Sequence, residues 1–453
     1  MVGKNHDELV KALRAAARPL QGDEDLAPLL NKIKRARYVL LGEATHGTHE
    51  FYAWRAAITK RLIQQRQCSF IAVEGDWPDC YRVNRYVKAY ADSGDSAEQV
   101  LRSFDRWPTW MWSNREIAEL AEWLRLHNLQ LEPEQRIGFY GLDVYSLWDS
   151  MTAVVNYLET VDPALARAAR RAYMCFEPYG EDAQAYARAT VMVPASCEDE
   201  TVAVLRALRA KAPAYQQDDR EAYYNAEQNA LIARGAERYY RAMIQHGQNS
   251  WNVRDRHMTE TLERLMDYHG PHARAVVWEH NTHVGDARFT NMARAGMVNV
   301  GQLIREAHPE PGVVRLVGFG THSGTVIAAR EWGAPMQAMR MPHARVNSLE
   351  DLLHRAGAPG LAVSTTTMHK QNSLLVFNGS DDGGIPGLDK SLDHRAIGVV
   401  YHPEAERRSN YVPTLVPRRY DAFLFIDHTR ALDAFDVPLS PDTEPPETYP
   451  SGM

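Results

Sequence analysis

Tyr38-Val-Leu-Leu-Gly-Glu-Ala-Thr-His46-Gly-Thr-His-Glu50 decides how this chain is read. Four apolar residues run without interruption into a glycine, an acid and a histidine. An apolar run of this length beside helical patterns reads as a strand buried on both faces, the mark of a parallel sheet. Six further runs share the form: Phe70-Ile-Ala-Val-Glu74, Ile137-Gly-Phe-Tyr-Gly-Leu-Asp143, Ala275-Val-Val-Trp-Glu-His-Asn-Thr-His283, Leu316-Val-Gly-Phe-Gly-Thr-His322, Ile397-Gly-Val-Val-Tyr-His402 and Ala422-Phe-Leu-Phe-Ile-Asp-His428. The expected fold class is therefore α/β, a mainly parallel central sheet flanked by helices. Ligands of open α/β sheets bind outside the carboxyl ends of the strands. Those ends here carry Glu43, His46, Glu74, Asp143, His280, His283 and His322, the layout of an enzyme with a small-molecule substrate.

Working outward, residues 1–150 alternate strand and helix patterns and make the first part of the core. A short amphipathic pattern spans 7–20. Thr48 is placed to cap the helix after the first strand, on which Phe51, Arg55, Ile58 and Leu62 form one sheet-facing stripe. From 151 to 270 the strand runs stop and Ala, Arg, Glu and Tyr dominate, which predicts an all-helical insertion. Residues 271–430 return to the core, with strands at 275, 314, 374, 397 and 421. The proline-rich end, 431–453, reads as a flexible tail.

The 453 residues are 45% apolar and 24% charged, the balance of a globular protein, and a net charge of -7 argues against a nucleic-acid partner. No apolar run approaches membrane-spanning length and the first residues lack an apolar signal core, so the expected location is cytoplasmic. The four cysteines show no CxxC spacing, which disfavours a metal ribbon or a redox pair, and Cys68 reads as a buried structural thiol.

Glu43 and His46 sit three apart in a glycine-flanked turn before a helix. A carboxylate beside a histidine fixes its tautomer and tunes it as a general base, although the same residues also suit a turn that satisfies local backbone groups. Arg55, on the buried stripe, needs a carboxylate partner, in Glu43 or Glu74, whether the pair is catalytic or structural. His280 and His283 can bind a metal, polarise a carbonyl or hydrogen-bond a loop; with Glu43, His46 and Glu74 they suit either a metal site or a metal-free hydrolase. The glycine-rich Gly318-Phe-Gly-Thr-His-Ser-Gly324 is expected to turn and open a helix, shaping the pocket around His322. No Walker A lysine, GxGxxG or GxSxG motif is present. Trp107, Trp110 and Trp112 either line an apolar cleft or pack as core.

Taken in order, Gly42-Glu43-Ala-Thr-His46, Glu50-Phe51, Arg55, Glu74, Gly141-Leu-Asp143, Val253-Arg-Asp255, His280-Asn281-x-His283 and Val300-Gly-Gln-Leu303 resemble the signature of the erythromycin esterase family. The resemblance runs from about residue 36 to 428. It implies an α/β core with a helical insertion over the cleft. It also implies hydrolysis of a macrolide's lactone ester by an activated water, with neither metal nor other cofactor. By motif, His46 is then the general base and Glu43 its carboxylate neighbour. Arg55 and Glu74 complete the polar network, and His280 and His283 face them. Separately from the resemblance, Trp107, Trp110, Asp143 and His322 are the expected substrate-binding residues. The chain departs from the family's pattern in its extra His49 and in Glu279 before His280.

Overall fold

Alternation along each buried run builds the two faces of one sheet. The computed structural model describes residues 2–179, 186, 189, 196–244, 250–357, 372–379 and 384–437. Its strands are β1 (Arg18–Pro19), β2 (Tyr38–Leu41), β3 (Phe70–Val73), β4 (Gly138–Gly141), β5 (Ala275–Trp278), β6 (Val314–Ala328), β7 (Gln337–Met341), β8 (Ser373–Val376), β9 (Leu392–Arg395), β10 (Tyr411–Thr414) and β11 (Ala422–Thr429). Six of them run parallel in the order β4-β3-β5-β2-β6-β11. Antiparallel β8 and β1 extend the sheet beyond β11, and β7 folds back on β6.

Leu41, Ile71, Val73, Val276 and Trp278 pack on one face, while Leu40, Phe70, Ala72, Ala275 and Val277 pack on the other. Burying each large apolar side chain contributes about 1.5–3 kcal/mol, so a strand buried on both faces is held from each side. The register is level: Ala275 pairs with both Tyr38 and Phe70, and Tyr38 also with Val314. Level starts and short strands bring the ends of β2, β3, β4 and β5 out at one edge, which gathers their polar residues.

Helix His49–Gln64 begins after Thr48 and buries Phe51, Arg55, Ile58 and Leu62, as the stripe requires. The middle of the chain is helical in its described part, through Leu147–Val161, Pro163–Tyr173, Glu198–Ala210, Ala212–Asp218 and Arg220–Ile244, which share a core that includes Val154, Leu158, Leu205 and Tyr239. Cys175 and Cys197 form a disulfide there, while Cys68 and Cys80 are free and buried. Helix Ser250–His269 then returns to the sheet through Met258, Leu262, Leu265 and Met266. No helix among the described residues is long and apolar enough to cross a membrane.

Three expectations differ from what is found. Residues 318–324 neither turn nor open a helix; they lie within the fifteen-residue β6, whose alternating burial from His322 onward follows the β-branched Thr325, Val326 and Ile327. Glycine is required at 324 (φ 146°), since a Cβ would strike the Thr429 backbone. Ile397–His402 is not a regular strand. It makes single bridges, Ile397 to Thr45 and Val400 to Ala329, because it crosses between the loop after β2 and the end of β6 instead of following either. Residues 431–437 are not a free tail: Leu432, Phe435 and Val437 are buried and Ala434 pairs with Asn114. The remainder, 438–453, lies outside the described residues.

Candidate active site

At the end of β2 the chain passes through Gly42 into a loop that presents Glu43 and His46. Glu43 Oε1 accepts from His46 Nδ1 at 2.9 Å, and its Oε2 accepts from Arg55 Nη2 at 2.6 Å. Arg55 is wholly buried, its guanidinium 4.3 Å from the Tyr52 ring centre and 4.7 Å from that of Trp278. The aromatic faces and one carboxylate thus compensate a cation that would otherwise be very costly to bury. With Nδ1–H committed to Glu43, the His46 lone pair is on Nε2.

The ends of β3 and β4 meet helix Ser250–His269 through Arg254. Its Nε and Nη2 donate to the two oxygens of Asp143 at 2.9 and 2.7 Å, and Nη2 also to Glu74 Oε1 at 2.8 Å. Burial opposes ionisation of both carboxyls, but Arg254 holds Asp143 below its usual range, and His283 with Arg254 holds Glu74 well below. Glu74 Oε2 accepts the His280 backbone N–H at 2.8 Å, so one side chain ties β3 to the turn after β5.

His283 lies between two acids, with Nδ1 2.9 Å from Asp255 and Nε2 3.3 Å from Glu74, and it stacks on Trp251. Burial works against its charge, yet Asp255 and Glu74 hold the imidazole well above its ordinary value. Burial also pushes the Asp255 carboxyl up, so acid and ring compete for one proton. We place it on the ring, because Asp255 and Glu74 outweigh the Arg254 Nη1 that also lies 3.3 Å from Nε2.

His280 is different. Its Nδ1 accepts from the Thr282 N–H at 3.3 Å and pairs with Thr282 Oγ1 at 2.8 Å, which leaves the proton on Nε2. Burial keeps it well below the usual histidine range and therefore neutral. The Ala44 carbonyl is close to this ring, yet Nε2 has no hydrogen-bond partner among the described residues. The His46 and His280 rings are 4.8 Å apart. Glu279, just before, is buried with neither oxygen hydrogen-bonded among the described residues, and burial pushes its carboxyl well above the usual range.

His46, Glu74, Asp143, Arg254, His280 and His283 open onto one cleft with a cavity volume of about 90 Å³. Among the described residues no three His, Cys, Asp or Glu side chains converge as a metal would need. A family model described as erythromycin esterase matches residues 63–429, most of the chain. The chain belongs to the erythromycin esterase family. Membership in that family makes it a hydrolase of the esterase type with a small-molecule substrate. Three solved structures share its fold. A succinoglycan biosynthesis protein is 19% identical, over 94% of this chain and 98% of that one, with a TM-score of 0.74. A protein from Bacillus cereus is 18% identical, over 95% and 99%, with a TM-score of 0.77. An erythromycin esterase, a histidine mutant in an open conformation, is 14% identical, over 95% and 98%, with a TM-score of 0.63.

In this member of the erythromycin esterase family, His46, Glu74, Asp143, His280, His283 and Trp107 line one cleft, with Glu43 and Arg55 directly behind His46. Trp110 does not line it; it packs edge-on behind Trp107, buried in the core. His322 lies elsewhere, stacked on His354 at 3.9 Å, because β6 continues straight through the expected turn. Sequence reasoning missed Arg254 and Asp255 as site residues, and also Asp76, Arg106 and Tyr145 on the cleft wall. Arg254 and Asp255 were visible only as a landmark on a helix 180 residues from Glu74.

Proposed function

We propose that this chain is a metal-independent hydrolase of an ester or macrolactone bond, with His46 as general base. One observation carries the reading: His46 Nδ1 is committed to a Glu43 that Arg55 itself anchors, so Nε2 faces the cleft as an acceptor. His46 Nε2 takes a proton from water while the hydroxide oxygen attacks the ester carbonyl carbon. The tetrahedral oxyanion gains a hydrogen bond from neutral His280, and the imidazolium of His283 adds positive potential. Collapse breaks the carbon–oxygen bond, and the leaving alkoxide recovers the proton from His46, so that ester and water give acid and alcohol. Metal independence is supported by the carboxylates, since Arg55 holds Glu43 and Arg254 holds Glu74.

The test is hydrolysis of macrolides and simple aryl esters, followed by mass spectrometry, with metal-stripped wild type beside His46→Ala. The expected result is a water-addition product from wild type and a loss of kcat of about 10²- to 10⁴-fold in the variant. Turnover retained in a folded His46→Ala protein overturns the base assignment, and activity that returns only with added metal overturns metal independence.

A further inference from the structure

We propose that Asp76 and Asp79 form a subsite for an organic cation, so that the ester hydrolysed here carries an alkylammonium group; this rests on the hydrolase reading above. Among the described residues the cleft wall carries four acids, Glu74, Asp76, Asp79 and Asp143. Arg254 answers Glu74 and Asp143. Arg106 answers only Oδ2 of Asp76. Asp79 is paired with Arg82 at 2.7 Å, whose side chain is 48% exposed and therefore neutralises it weakly.

Asp76 Oδ1 is the telling atom. The residue is 6% exposed, and this oxygen has no hydrogen-bond partner among the described residues. Asp76 stands at the N-cap of helix Trp77–Val87, where an aspartate ordinarily accepts a helix N–H, yet it makes no such bond. A buried carboxylate oxygen without a donor is costly, and a positively charged donor from a ligand would remove that cost. Burial drives both carboxyls up, Asp76 to about 6 against Arg106 and with Asp143 and Asp149 near, Asp79 to about 7 against Arg82 and with Asp76 and Asp149 near.

The walls select the kind of cation. Phe104, Trp107 and Trp112 line the same cleft, and aromatic faces attract alkylammonium groups. A bare metal ion needs several converging ligands, and the acids here do not converge in that way.

The test uses choline and its neutral isostere 3,3-dimethylbutan-1-ol, with binding followed by calorimetry on the whole protein at pH 8. Neither compound is hydrolysed, so the outcome is independent of esterase activity. Wild type is expected to prefer choline by about tenfold or more. Asp79→Asn, whose partner is half in solvent, is the variant that keeps the fold, and Asp76→Asn is its companion. Each is expected to bring the preference close to parity. Equal binding of the two compounds by wild type overturns the subsite, and so does a preference that survives in folded Asp79→Asn.

Discussion

Asn281 Oδ1 occupies the place that a Cβ on Gly42 would take. The same amide donates to the Phe319 carbonyl at 2.6 Å and accepts the Phe319 N–H at 3.2 Å, and the Asn281 N–H reaches the Glu43 carbonyl at 2.8 Å. Asn281 therefore locks β2, β5 and β6 together one residue from His280. Gly42→Ala is expected to displace it, lowering stability by about 1–3 kcal/mol. The catalytic rate should fall with it, since Glu43 and His280 both hang on this contact. Denaturant unfolding beside the rate on an aryl ester checks both, and an Ala variant of wild-type stability refutes the packing argument.

Glu43 is a positioning residue, because it acts on the reaction through His46. Glu43→Gln leaves Arg55 buried without its anion, which costs about 3–5 kcal/mol. Adding Arg55→Met should restore much of that stability and none of the rate. The expected signature in the double variant is a depressed kcat with KM little changed. Recovery of kcat along with stability would make the pair purely structural.

The His283 cluster predicts a pH dependence of definite sign. Its folded value lies well above the ordinary 6.5. The stability it contributes is therefore fully present below about pH 6.5 and is lost as pH rises through the folded value. Glu74 is depressed, so its contribution is present above the ordinary 4.5 and is lost as pH falls through a much lower value. The gap in Tm between wild type and His283→Gln should stay constant from pH 5 to 6.5 and narrow on the alkaline side. A gap that widens with pH would mean that the ring is buried neutral.

Thiol chemistry follows from the cysteine pairing. Burial raises Cys68 to about 12 and Cys80 well above its ordinary range, so neither should react with a thiol reagent in the native protein. Unfolding without reductant should expose two thiols, and unfolding with reductant four. Four thiols without reductant would mean that Cys175 and Cys197 are not joined. Two would favour maturation in an oxidising compartment over the expected cytoplasm.

Much of this site is legible because short strands buried on both faces must end in whatever polar residues the cleft uses. Glu43, Glu74, Asp143, His280 and His283 each follow such a run, and a level register gathers them. His322 also follows a buried run, but its strand does not stop there. The glycines at 318 and 320 serve packing, since a Cβ on either would press on Phe423, and neither ends the strand. Arg254 was hidden for another reason. An arginine on a long helix resembles any surface arginine until the tertiary fold shows two acids on other strands facing it. Asp76 and Asp79 carry no sequence signal; they stand at the start of helix Trp77–Val87, and only burial marks them as costly.

That cost is measurable at Asp79. Its folded value of about 7 lies above the ordinary 3.8, so the protonated form is favoured by folding. The contribution is full below pH 3.8, falls as pH rises to about 7, and is flat beyond. Asp79→Asn should therefore match wild type near pH 4 and exceed it by about 4 kcal/mol at pH 8, the Arg82 pair already being contained in that folded value. Unfolding at pH 4, 6 and 8 measures the trend, and a difference that does not grow with pH removes the claim of a costly buried acid. If the acid is retained because a cation relieves it, choline should narrow the difference at pH 8 by stabilising wild type alone.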